Sequence, residues 1–331
     1  MPTRGKRLDK YEVTAGRFRQ FIGAVGPDVR SWAKAFAAAN PASQLAKMGA
    51  LRANFLDLYP ASGNPSDPLN VVAQLGAIAM DNYSGIRGCY NGYNVNNPND
   101  GAYGHATYWL PPADLAGYGV PPRVLAADVL DAKSMNCVTA PMFVAFCAWD
   151  GGELASVADY NDVWTSTYPW GAVDTGRPNY NSDPGEGLGG FACGTGIFYE
   201  YPKTNRAQDI SPRIGAPGRF ANDLTTIRVD GEGWYDLFAN LLEYTGDFHV
   251  NAPLPAPFTN DFCDFSAGAG NGGPACSRSL QNGTGTLRFS NLPSVSALGH
   301  SFEGHALGKT PVDIPSMAQY GKLGGRCVRP L

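Results

Sequence analysis

The stretch NCVTAPMFVAFCAWDGGELASVADYNDVWTSTYPWG, Asn136 to Gly171, decides how the rest of the chain is read. It predicts two short helices joined by a glycine elbow and closed by an aromatic-proline turn. Thr139 suits an N-cap, and Pro141 suits the first turn, where its missing N–H leaves no intrahelical bond unmade. Phe143, Phe146 and Cys147 recur at i, i+3 and i+4 and predict an inward-facing stripe. Gly151 and Gly152 end that helix. Ser156 starts the next, with Asp159 three residues on as a capping-box variant. Tyr168-Pro169-Trp170-Gly171 cannot continue a helix and turns the chain away. Helices this short bury little alone, so the remaining chain is expected to wrap them.

The chain has 331 residues, 44% of them hydrophobic and 16% charged, which allows a substantial core. Its 41 glycines and 26 prolines are scattered among many aromatics rather than set in a period or a low-complexity run. That excludes collagen-like and disordered readings and predicts a folded, loop-rich chain with limited regular secondary structure. A formal net charge of −4 gives no electrostatic ground for binding nucleic acid or an anionic membrane. No apolar run reaches the roughly 18 residues of a membrane span; Leu69 to Met80 comes nearest and is broken by Asn70 and Gln74.

The seven cysteines, Cys89, Cys137, Cys147, Cys193, Cys263, Cys276 and Cys327, show no CxxC and no Cys/His metal spacing. Wide, irregular spacing predicts disulfides and an exported, extracytoplasmic or secreted protein. No signal-peptide pattern stands at Met1, so a cytoplasmic protein with buried thiols stays open. Cys263 and Cys276 flank a Gly/Ala/Asn loop and suit a local bridge, while the pairing of Cys89, Cys137 and Cys193 is not assigned.

Near the start, Lys10 to Thr14 reads as a strand end running into a helix capped by Thr14. Phe18, Phe21, Ile22 and Val25 line one face of that helix and Gly26-Pro27 stops it. A chain that opens in mid-strand is expected to lack something upstream. Ser31 to Leu58 is helical in pattern with a break at Pro41, and Asn82 to Pro112 is long irregular chain. Gly233 to Phe248 is short and apolar, and the tail ends in Gly324-Gly325-Arg326-Cys327-Val328-Arg329. No internal repeat or clear linker occurs, which predicts one domain over 1–331.

Taken in order, these segments resemble the formylglycine-generating enzyme (sulfatase-modifying factor) superfamily. Asp9 to Thr14, followed by Phe18 and Phe21, is similar to that family's opening "yEVTnaqFreF". The central stretch is similar to the block that runs from "PVtcVsW" through "aYCrWaGgRLPTEAEW" to "yPWG". Trp234 to Phe248 is similar to "GlyDmaGNVwEWtsDw", and Gly324 to Val328 to the closing "GFRcv". The resemblance spans nearly the whole chain, apart from the first strand and insertions near 40–120 and 172–230. It implies an α+β fold of the C-type-lectin-like kind. It also implies a disulfide between Cys147 and Cys327; closing a loop of that length stabilises by about 5 kcal/mol in the chain-entropy model. Two buried free thiols are the other reading.

The resemblance further implies calcium held by Asn240, the Leu241 carbonyl and Glu243, an oxygen-only set suited to a hard cation. The other reading is a capping Asn with an exposed Glu. Catalytic members oxidise a substrate cysteine with copper held by two thiolates in a C-x4-C segment ahead of the last block. This chain has no cysteine between Cys276 and Cys327, so that thiolate site and the parent reaction are not expected. His300 and His305 stand there instead, at the same spacing. Two imidazoles suit copper or iron, Glu303 adds a carboxylate as in a facial triad, and His249 is the candidate third nitrogen ligand. Two loop histidines making hydrogen bonds are the plain alternative; His105 has no context. The H-x3-H-x-E iron motif of the ergothioneine-type branch does not occur.

Two functions of different class therefore stand. One is an exported, calcium-stabilised module that binds a protein, peptide or glycan through its loops, without cysteine oxidation. The other is a metal-dependent oxidase or oxygenase at His300 and His305.

Overall fold

The computed structural model describes residues 5–51, 55–64, 69–77, 106–116, 125–167, 169–171, 214–218, 224–229, 231–238, 240–249, 278–281, 284–287, 294–300, 306–315, 319 and 323–331. Within them the chain mixes helix and sheet, broadly α+β. Strand β1 (Lys6–Leu8) leads into helices α1 (Ala15–Val25), α2 (Val29–Ala39) and α3 (Gln44–Leu51). Two short helices, α4 (Pro112–Ala116) and α5 (Ala127–Asp131), precede α6 (Ala140–Trp149), β2 (Glu153–Leu154) and α7 (Val157–Val163). Strands β3 (Leu242–His249), β4 (Arg278–Gln281), β5 (Thr284–Leu287), β6 (Ser294–His300), β7 (Ala306–Pro315), β8 (Leu323–Gly324) and β9 (Cys327–Pro330) follow.

Helix α6 forms because Thr139 accepts from the Met142 N–H at 3.4 Å and Pro141 occupies the first turn. It is buried on every face from Ala140 to Ala148, not along the single stripe that Phe143, Phe146 and Cys147 predict. A helix apolar all round belongs inside a core. The aromatic rings of α1 cover one side of it, with Phe18 stacked on Phe146 at 5.3 Å and edge-on to Phe143 at 5.7 Å. On another side Phe143 meets Tyr244 of β3 at 6.0 Å. At its end Gly151 adopts φ 80°, and a Cβ on Gly152 would lie 2.3 Å from the Val328 carbonyl oxygen, so β9 passes too close for any other residue. Helix α7 then begins with both halves of the expected capping box between Ser156 and Asp159.

Both ends of the chain meet in one sheet of order β1-β9-β2, with Leu8 opposite Val328 and Leu154 opposite Cys327. Cys147 of α6 is disulfide-bonded to Cys327 of β9, with Cα atoms 5.5 Å apart. A second sheet has the order β7-β6-β3-β8, in which β3 runs antiparallel to β6 and parallel to β8. Strands β4 and β5 form a separate antiparallel pair. Among the described residues no helix is long and apolar enough to cross a membrane.

Candidate functional site

Arg326 lies just before β9 and Glu243 on β3, both fully buried, with Nε and NH2 of the guanidinium 2.7 and 2.6 Å from Glu243 Oε1. The remaining guanidinium hydrogens go to the carbonyls of Asp9, Lys10, Tyr235 and Asp236. The arginine thereby ties together the first strand region, the loop before β3 and the tail. Burial pushes the Glu243 carboxyl upward and the charge of Arg326 opposes that shift. The buried Tyr160 hydroxyl lies beside the same carboxylate and also acts to lower it.

Asn240 stands next to this pair at φ 69°, a left-handed conformation that asparagine tolerates. Its Nδ2 donates to Glu12 Oε2 at 2.6 Å and to Ser134 Oγ at 2.8 Å, and its Oδ1 accepts from the Gly215 N–H at 2.9 Å. Ser134 in turn donates to Glu12. Burial, then the negative charges of Glu243 and Asp236, hold the Glu12 carboxyl well above the ordinary carboxylate range.

These contacts decide whether calcium fits Asn240, Leu241 and Glu243. Asn240 offers its oxygen to a backbone N–H, and Leu241 is buried. A guanidinium held on Glu243 Oε1 repels a second cation at the same carboxylate. The residues do not fit a calcium ion at those atoms; they form an internal polar network instead. Asp9, Asp150 and Cys327 also cluster at metal-like spacing. Here too the fit fails. The Cys327 sulfur is in a disulfide, and Arg17 and Arg329 both pair with the two carboxylates.

His300 ends β6, its backbone opposite Ala306 of β7. Glu303, His305 and His105 lie outside the described residues, as do Cys263 and Cys276. His249 ends β3 opposite Ser294, at the start of β6, whereas His300 is at that strand's other end. At ~3.3 Å per residue the two backbones are roughly 20 Å apart. The register thus does not bring His249 to His300 as a third ligand.

A concave feature of the described surface lies elsewhere. A cavity of about 300 Å³ opens between α3, β2, the start of α7 and β3, lined by residues that include Lys6, Lys47, Met48, Glu153, Asp159 and Phe248. Ser43 accepts from the Ala46 N–H and so starts α3 with Gln44 facing β2. The Gln44 carboxamide takes the Leu154 N–H at 2.9 Å and donates to the carbonyls of Leu154 and Gly246 at 3.3 Å each. It thereby closes the outer edge of β2 as a neighbouring strand's peptide group would. Lys6 bonds Glu153 at 2.8 Å across the rim. Sequence reading missed this groove because its walls come from four distant segments, and a glutamine in an alanine-rich helix carries no signal of such a role. No family model matches the chain, and no curated protein matches it.

Proposed function

We propose that the chain is a disulfide-braced, exported binding module of the formylglycine-generating-enzyme-like, C-type-lectin-like kind, without the cysteine-oxidising chemistry of that family. The observation that carries the reading is where the four resembling sequence blocks meet. Glu12 of the first bonds Asn240 of the third, Glu243 of the third pairs with Arg326 of the fourth, and Cys147 of the second is bonded to Cys327 of the fourth. Their polar residues are thus committed to one another, and a scaffold whose polar groups face inward leaves ligand contacts to the surface. The absence of cysteine between Cys276 and Cys327 removes the thiolate pair that the parent reaction uses. Export is supported by the disulfide of Cys147 with Cys327 and by a second disulfide at Cys137.

The test is a turnover assay with a cysteine-containing peptide, oxygen and added copper, read by mass spectrometry of the peptide. The peptide is expected to leave unchanged beyond the copper-only control. Enzyme-dependent conversion of its cysteine would refute the reading.

One observation favours the metal-oxidase alternative. The strand pairing sets Ala306, the residue after His305 in sequence, opposite His300. Elemental analysis and electron paramagnetic resonance of purified protein test it. A stoichiometric transition metal lost in His300→Ala would favour the oxidase; metal-free protein would dismiss it.

A further inference from the structure

The groove beside Gln44 has a distribution of charge that selects a ligand class. Among the described residues its ionisable lining is Lys6, Lys47, Glu153 and Asp159. The charges are not evenly placed. Lys6 is bonded to Glu153, and Asp159 also acts on it, so the wall formed by β1, β2 and the start of α7 carries one carboxylate more than it has ammonium groups. On the opposite wall, α3 presents Lys47, exposed and without an acidic partner among the described residues. Between the walls lies an apolar bed of Met48, Leu51, Leu154 and Phe248, in which Leu51 stays 38% exposed.

A groove with a surplus carboxylate on one wall and a lone ammonium on the other, among the described residues, is dipolar. It matches a ligand with a positive and a negative end joined by an apolar body. We propose that this groove binds a small zwitterion, such as a free-ended dipeptide, with its carboxylate on Lys47, its ammonium on Glu153 and Asp159, and its apolar side chains on Met48, Leu51 and Phe248. This assignment rests on the binding-module reading and names the ligand class for it.

Calorimetric titration with leucyl-leucine, its N-acetyl derivative and its C-terminal amide tests the assignment. The free dipeptide is expected to bind saturably, and each capped form at least about tenfold more weakly, since each loses one charge-assisted contact. Lys47→Glu, a change to an exposed side chain, is expected to weaken the free and N-acetylated forms and to spare the amide. Equal affinity for free and capped forms overturns the proposal. So does binding indifferent to Lys47→Glu, or no saturable binding by protein whose circular dichroism and melting are those of the folded chain. The peptide-oxidation assay is read separately: turnover there refutes the binding-module reading, whereas failure in the titration removes the groove assignment alone.

Discussion

Arg326 and Glu243 meet at 2.6 Å with neither side chain exposed to solvent. Such a pair is poor evidence of net stabilisation, because the desolvation of both ions offsets their attraction. Its consequence lies in what happens when one partner is removed. Arg326→Met leaves a buried carboxylate without its counter-ion and is expected to cost about 3–5 kcal/mol in urea unfolding. Glu243→Gln combined with Arg326→Met is expected to recover only the share due to the bare carboxylate, since the carbonyls of Asp9, Lys10, Tyr235 and Asp236 still lack their donor. A single variant as stable as the parent would show that the two groups are not paired.

Glu12 makes the stability of the fold depend on pH. Its folded value is raised above the ordinary 4.5, chiefly by burial, so the folded state favours the protonated acid. The stabilisation is fully present below the unfolded value and is lost as the pH rises through the folded one. Glu12→Gln keeps the shape and removes the proton, so the variant is expected to gain on the parent as the pH climbs. Glu243 is shifted in the same direction, so the substitution flattens only part of the slope. Urea midpoints from about pH 4 to about pH 9 check this; parallel profiles for the two proteins would contradict it.

Joining α6 to β9 through Cys147 and Cys327 closes a loop of 180 residues. Replacing both by alanine is expected to lower stability by about 2–5 kcal/mol, largely by releasing the unfolded chain. Comparison of unfolding in the parent and the double variant, both without reductant, measures it. A change below about 1 kcal/mol would mean that the crosslink does not constrain the unfolded ensemble.

Gln44 stands in for a strand. Gln44→Ala leaves the Leu154 N–H without its partner and is expected to cost about 1–3 kcal/mol. Gln44→Glu should do no better, since its carboxylate would face the carbonyls of Leu154 and Gly246 without a hydrogen to give. Hydrogen exchange at the Leu154 amide reads the effect directly. Protection unchanged in Gln44→Ala would refute the role.

The parts legible in the sequence are those whose cause is local. Thr14, Thr139 and the Ser156–Asp159 pair each bond a backbone N–H three residues away, and residue type with spacing is enough to place them. The burial of α6 on all sides was hidden, because the elements that cover it come from both ends of the chain. Periodicity marks the aromatic positions and is silent on alanines that pack equally closely. The reading of Asn240 and Glu243 as calcium ligands shows the same limit. The residue types are oxygen donors either way, and only Gly215, 25 positions from Asn240, and Arg326, 83 from Glu243, reveal that those oxygens accept hydrogens of the protein itself. The groove follows the same rule, with Lys6 and Glu153 separated by 147 positions. Long-range pairing of charges leaves no local pattern to read.

Asn240 and Glu243 are bonded to groups of the protein itself rather than left open to a metal. Thermal melting in the presence of a chelator and then of millimolar calcium tests it most directly. The same transition is expected in both, for the parent chain and for Asn240→Ala alike once its own lower stability is allowed for. A calcium-dependent rise in the melting temperature that Asn240→Ala or Glu243→Gln abolishes would contradict it.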